Sequence, residues 1–335
     1  MDRRRRLQGS SPREERFLTA ADVKAKAKAL GADLVGIASA ETVGKHPVPG
    51  CPAAPGDILK GARSVVVLAR RLLSGMSREL DWRNRNVHYA GEMILSSMEE
   101  VSYEIVRFLE DHHQPSIMTP SAYSRSHQVD VAGKALSLPH LAVEAGLGTL
   151  GLNLQLLTPE FGPRVVLSAV VTTAPLDPDT RRESSLCLGE ECGRCLLACP
   201  GDAVGRFALD VDRCRPFSSP YGYQFLERHV ERILEEEDPA RRVEFLRHTD
   251  TLMIWQSMLR GVGIYSGCTR CYDVCPVGAD YERHLEDVQQ AIAETTPEKE
   301  QRLREYRSGR GPSADLDAHR RWIGVPSQPV MTSQE

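Results

Sequence analysis

The sequence predicts an α+β protein that carries a cysteine-rich module in its second half. Two observations lead there. Helical and strand periodicities are mixed through residues 19–180, and eight of the nine cysteines fall within residues 187–275, with Cys51 alone before them and none after.

Residues 1–18, rich in arginine and polar residues, are expected to form a flexible N-terminus. Ala20–Leu30 puts Val23, Ala27 and Leu30 on one helical face, and Gly31 stops it. Asp33–Ile37 and Ser64–Ala69 are short β-branched runs and predict strands, separated by the Pro/Gly-rich loop PVPGCPAAPGD. His88–His112 predicts a long amphipathic helix, with Ile94, Met98, Val101, Ile105, Phe108 and Leu109 at helical spacing. Leu138–Ala145 predicts a short helix ended by the Gly146–Leu147–Gly148 turn, and Arg164–Thr173 is the strongest strand pattern in the chain. Tyr281–Glu294 has a helical pattern, whereas Thr295–Glu335 is polar and charge-rich and reads as a wrapping arm or disorder. The expected organisation is therefore a flexible 1–18, a cofactor domain over 19–180, a cysteine module over 181–285 and a polar C-terminal arm over 286–335.

An apolar fraction of 41% and a charged fraction of 26% are ordinary for a globular protein, and a net charge of -4 argues against a dominant nucleic-acid surface. No stretch approaches the ~18 apolar residues of a membrane-spanning helix. The run Arg3–Arg6 is followed by LQGSSPREERF, which lacks the apolar region of an export signal. The expected location is thus cytoplasmic, where nine cysteines point to metal rather than to disulfides.

Two cysteine runs carry the chemistry: Cys187-LGEE-Cys192-GR-Cys195-LLA-Cys199-Pro200 and Cys268-TR-Cys271-YDV-Cys275-Pro276. Each ends in C-x3-C-P, the terminal signature of a bacterial ferredoxin holding two 4Fe–4S clusters. The runs supply seven thiols, and Cys214 between them brings the count to eight. By the crossed ligand rule, one cluster takes Cys187, Cys192, Cys195 and Cys275; the other takes Cys199, Cys214, Cys268 and Cys271. The first spacing is x4 rather than x2, and Cys214 stands alone. Zinc ribbons would show paired C-x2-C units without the proline endings. Cys51 has no partner and reads as a spare loop thiol.

A two-cluster module within a larger chain is built to deliver single electrons to a second acceptor, itself fed by an external donor such as a ferredoxin or flavodoxin. No G-x-G-x-x-G follows a strand and no phosphate loop is present, so neither a nicotinamide site nor nucleotide hydrolysis is indicated. The stretch SLPHLAVEAGLGTLGLN, followed by LLTPEFGPR, brings Gly146, Gly148 and Gly151 close together. It reads either as backbone open to a bulky ligand or as a helix cap and hairpin.

This stretch, the TTAPLDPD segment over residues 172–179 and the order of all eight cysteines resemble the cobalamin-dependent superfamily of reductive dehalogenases and epoxyqueuosine reductases. The likeness covers about residues 20–285. It implies a nitroreductase-like cobalamin-binding domain fed by a ferredoxin-like two-cluster module, and reductive cleavage of a small-molecule substrate. Epoxyqueuosine reductases also carry a C-terminal helical-repeat domain that grips tRNA; only the sixty mostly polar residues 276–335 follow Cys275 here, so a tRNA substrate is the less favoured case. The resemblance also leaves open an electron-transfer or cobalamin-handling protein without substrate chemistry of its own.

On this basis Gly146, Gly148, Gly151 and Asn153 are the candidate cobalamin contacts, and Tyr89, Asp130 and Arg164 the candidate catalytic residues. The resemblance suggests a tyrosine as proton donor with an arginine lowering its pKa; Tyr89 stands in roughly the family's place, with Tyr103 and Tyr123 as alternatives. The general-acid aspartate of the epoxyqueuosine reductases maps near Ala132, two positions from Asp130. His140 reads as a structural histidine rather than a cobalt ligand.

Overall fold

A computed structural model describes residues 18–46, 53–79, 85–123, 136–218, 221–259, 268–289, 292 and 295–309. The chain is a mixed helix-and-sheet protein, and its order of elements follows closely from local sequence. Helix α1 (Ala20–Ala29) starts at a reciprocal cap: Thr19 Oγ1 accepts from the Asp22 amide at 3.2 Å, while the Asp22 carboxylate accepts from the Thr19 amide at 3.1 Å. Gly31, at φ +102°, takes the left-handed conformation that ends the helix. Strand β1 (Leu34–Ser39) leads to the short helices α2 (Ala40–Gly44) and α3 (Pro55–Ile58), then to β2 (Ser64–Arg71), α4 (Ser74–Arg78) and the long α5 (Arg85–Asp111). Strands β3 (Ser116–Met118) and β4 (Ala122–Tyr123) follow, then α6 (Leu138–Glu144), the β5 (Thr149–Leu150) and β6 (Leu156–Leu157) hairpin, and β7 (Val165–Thr172).

The main sheet is antiparallel, in the order β1-β2-β7-β3, with β4 pairing further along β7. Central β7 is buried on both faces, which explains its uninterrupted apolar run. Strand alternation then sorts side chains into two cores. Val66, Leu68, Val166 and Val170 face α1 and α5, where Ile94, Met98, Val101, Ile105 and Leu109 supply the helix stripe. Phe108, predicted with them, is only partly buried. Ser102 of α5 and Ser168 of β7 pair their hydroxyls at 2.8 Å inside this layer. On the opposite face, Val65, Val67, Leu167, Ala169 and Val171 pack on α6 and the β5–β6 hairpin.

The cysteine-bearing residues join that second core: Leu196, Cys199, Ala203, Val204 and Phe207 pack in one cluster with the sheet. This part comprises α7 (Arg194–Leu197), the β8 (Val204–Gly205) and β9 (Ala208–Leu209) hairpin, and α8 (Val211–Ser218). Three more helices follow, α9 (Tyr223–Glu235), α10 (Pro239–Arg247) and α11 (Thr249–Leu259), and then α12 (Arg270–Asp273). The helical pattern from Tyr281 resolves into a π-turn over Tyr281–Leu285 and the short α13 (Glu286–Gln289). Within the polar C-terminal stretch, α14 (Pro297–Arg307) buries Lys299 and Leu303, and Leu303 lies beside Gly193 of the first cysteine loop. Among the described residues no helix is long and apolar enough to cross a membrane.

Candidate metal centres

Eight thiols line two cavities in crossed sets. Cys187, Cys192, Cys195 and Cys275 surround the first, together with Gly151, Asn153 and Pro276. Cys199, Cys214, Cys268 and Cys271 surround the second, beside Pro200 and Phe217. These are the two sets that the spacing rule predicts, and isolated Cys214 reaches its set from α8. None of the eight is joined in a disulfide among the described residues. Among the described residues, no three His, Cys, Asp or Glu side chains gather closely enough to hold a single metal ion.

Local backbone explains how short spacings wrap a cavity. Gly189 and Gly193 adopt φ of +67° and +58°, turning the first loop twice within five residues. A side chain on Gly193 would meet Leu303 of α14 at 2.2 Å, so the loop and the C-terminal helix are fitted to one another. Arg307 donates to the carbonyls of Glu190 and Glu191, fixing the loop from outside.

Burial pushes the Cys187 and Cys195 thiols up, Cys195 strongly, and the Cys275 thiol up to about 12 against the opposing pull of Arg164. A thiol in such surroundings gives up its proton when metal takes its place. Backbone donors already point at the sulfurs: Leu152 N and Gly189 N reach Cys187 Sγ at 3.3 and 3.4 Å, and Ala203 N reaches Cys199 Sγ at 3.2 Å. The Gln155 side chain donates to Cys271 Sγ at 2.9 Å. Asp273, between two of the thiols, is buried and accepts from Thr269 Oγ1 at 2.9 Å; burial raises its pKa to about 7.

Arg164 has a different place from the one expected. It is 1% exposed, and its five N–H donors are all engaged within the protein. Two meet the Asp280 carboxylate at 2.8 and 2.7 Å, and the others meet the carbonyls of Tyr272, Cys275 and Val277 at 3.1, 2.7 and 2.7 Å. It therefore fastens the second cysteine run to the Thr158–Arg164 turn and has no donor left for a substrate.

A Cβ on Gly146 would lie 2.5 Å from Thr180 O, and one on Gly148 only 1.9 Å from Leu157 O. On that side these positions admit the protein's own backbone, as in the helix-cap and hairpin alternative. Gly151 and Asn153 line the first cysteine cavity, and Asn153 donates to Cys271 O at 3.3 Å. The four residues expected to contact cobalamin are thus committed to the hairpin and the cysteine region.

Tyr89 lies on α5 and is 52% exposed; Tyr103, on the same helix, stacks under Arg107. His140 is buried, with Nδ1 hydrogen-bonded to Ser137 Oγ at 2.6 Å. Asp130, Ala132, Cys51 and the side chain of Tyr123 lie outside the described residues. Gln155 and Asp280 were missed from sequence. An amide inside the otherwise apolar run LNLQLL, beyond the Asn153 already singled out, is the signal that could have found Gln155, because a buried polar group needs a partner.

No known family profile matches the chain. By sequence it is 27% identical over 148 residues to an epoxyqueuosine reductase of Listeria monocytogenes, covering 44% of this chain and 31% of that protein. It is 26% identical over 244 residues to the epoxyqueuosine reductase of Bacillus subtilis, covering 69% and 52%. It is 28% identical over 244 residues to the tetrachloroethene reductive dehalogenase of Dehalobacter restrictus, covering 59% and 41%. The chain therefore spans from about a third to about half the length of these relatives. Among solved structures, an epoxyqueuosine reductase aligns with a TM-score of 0.47 at 20% identity, covering 83% of this chain and 69% of that one. A reductive dehalogenase described by a mechanism for B12-dependent dehalogenation aligns at 0.48 and 15% identity, covering 86% and 49%. The sequence similarity to both kinds of reductase bears out the resemblance read from the motifs.

Proposed function

We propose that this chain is a cytoplasmic iron–sulfur oxidoreductase in which each four-thiol cavity holds one 4Fe–4S cluster. The observation that carries this reading is the crossed lining of the two cavities, each drawing thiols from both cysteine runs. Such an arrangement sets two electron carriers side by side in one ferredoxin-like module, packed on an antiparallel sheet domain of nitroreductase-like type. Buried thiols, amide donors aimed at sulfur and proline after each terminal cysteine all suit cubane ligation.

The clusters, when bound, supply one-electron transfer. The protein's part is to hold them at fixed separation, exclude water with Leu196, Phe207 and Phe217, and stabilise negative charge on the sulfurs through N–H donors. Electrons enter from an external donor of ferredoxin or flavodoxin type. The acceptor proposed by kinship is cobalamin, with reductive removal of a leaving group or of an epoxide oxygen as the reaction class. Of the residues expected to contact cobalamin, Gly146 and Gly148 are closed by backbone on the side where a side chain would stand, while Gly151 and Asn153 line the first cysteine cavity. No catalytic step is therefore drawn through that cofactor. Tyr89 is the proposed proton donor within the described residues, and Asp130 the proposed alternative.

Anaerobic reconstitution tests the reading. The expected protein holds about eight irons per chain, shows the paramagnetic signals of two reduced clusters, and changes the cobalamin spectrum when the vitamin is added. An iron-free protein, or one holding zinc at the cysteines, defeats the cluster assignment. Iron without cobalamin binding defeats the proposed acceptor. Turnover on aryl halides and on epoxyqueuosine-bearing tRNA then separates the two substrate classes.

A further inference from the structure

The β5–β6 turn touches both thiol sets at once. Leu152 N donates to Cys187 of the first set, while Gln155 Nε2 donates to Cys271 of the second. Gln155 is fully buried. Its backbone amide bonds to Asn153 Oδ1 at 3.3 Å and its backbone carbonyl accepts from Gly151 N at 2.7 Å, so the turn holds the residue in place. Its side-chain oxygen meets no donor among the described residues. A buried amide with one polar atom unmet is costly, and a leucine like its neighbours Leu154 and Leu156 would avoid that cost. The one partner that repays the amide is a sulfur. The orientation is fixed by charge: turned over, the amide would set its oxygen against the thiolate.

We propose that Gln155 sets the reduction potential of the cluster held by Cys199, Cys214, Cys268 and Cys271, raising it by donating its amide N–H to Cys271 Sγ. This rests on the cluster reading above. Reduction adds one electron to the cage from an external one-electron reductant; no covalent bond forms or breaks and no proton moves. The added negative charge is shared with the cysteine sulfurs, and a donor at sulfur stabilises the reduced state more than the oxidised one. Gln155 is thus a positioning residue that acts through Cys271. It biases the second cluster relative to the first, whose thiols it does not touch.

The test compares wild-type full-length protein with Gln155→Met, both reconstituted anaerobically and titrated with dithionite and mediators while each cluster is followed by electron paramagnetic resonance. Methionine keeps the volume and removes the donor. At a fixed solution potential, the oxidised-to-reduced ratio of one cluster is expected to rise about tenfold, equivalent to about 59 mV for a one-electron couple. The other cluster should change much less. Two filled clusters with unchanged ratios overturn the inference and leave the cluster reading intact; a wild-type protein without iron removes both. If Gln155→Met fails to assemble, the wild-type protein carrying heavy nitrogen in its glutamine side chains decides the matter. Pulsed resonance should detect that nitrogen coupled to one reduced cluster, and no coupling at either cluster overturns the proposal.

Discussion

Replacing Arg164 by methionine should loosen the joint between the sheet and the second cysteine run. The change leaves the Asp280 carboxylate, whose side chain is 15% exposed, and the carbonyls of Tyr272, Cys275 and Val277 without their donor. Removing one partner of a buried ion pair costs about 3–5 kcal/mol, because the remaining charge stays buried. With a denaturant slope of about 3 kcal/mol per molar urea, the midpoint should fall by roughly 1 M. Anaerobic urea unfolding followed by circular dichroism measures it. A double-mutant cycle with Asp280→Asn isolates the pair and should give a coupling of about 2 kcal/mol. On the cluster reading, the first cavity should empty before the second, since Cys275 is held by this anchor. A wild-type midpoint in Arg164→Met, or strict additivity in the cycle, would refute the clamp.

Cysteine substitutions test the crossed sets: Cys187→Ser and Cys275→Ser should remove the same paramagnetic signal, and Cys214→Ser and Cys271→Ser the other, although each pair is far apart in sequence. Loss of one signal by both Cys271→Ser and Cys275→Ser would contradict the crossing. Gly148→Ala should destabilise the β5–β6 hairpin by about 1–3 kcal/mol or more through overpacking, because its Cβ falls 1.9 Å from Leu157 O; thermal unfolding near the wild-type temperature would count against this packing. Tyr89→Phe, at an exposed helix position, should leave stability within about 0.5 kcal/mol and iron content unchanged. Turnover should be lost if the phenol delivers the proton, and an unaltered rate clears Tyr89 of that role.

The cysteine grouping was legible because cluster ligation is a local code: spacing and proline placement carry it, and even Cys214 could be counted in without knowing its helix. Strands β2 and β7 and helices α1, α5 and α6 were legible from periodicity, with ends displaced by only a few residues. Strand β1 runs on to Ser39 because that residue pairs with Ser64, a partner that lies across a loop and leaves no local trace. The short strands β3 and β4, which pair with distant β7, escaped for the same reason, whereas the β5–β6 hairpin was one of the two readings of the glycine-rich stretch. The roles of Gly146, Gly148 and Arg164 were hidden differently. Whether a glycine receives a ligand or a neighbouring carbonyl, and whether an arginine meets substrate or Asp280, depends on contacts made more than a hundred residues away in the case of Arg164.

Gly162 and Gly278 meet main chain to main chain. A methyl group on the first would strike Val277 O at 1.9 Å, and one on the second would strike Gly162 N at 2.4 Å. The amides of Ala279 and Asp280 close the same seam onto Pro159 and Glu160. A seam of this kind leaves no play for a hinge. On the proposed reading, electrons that leave the cysteine region toward the sheet domain cross a gap whose width this seam holds constant.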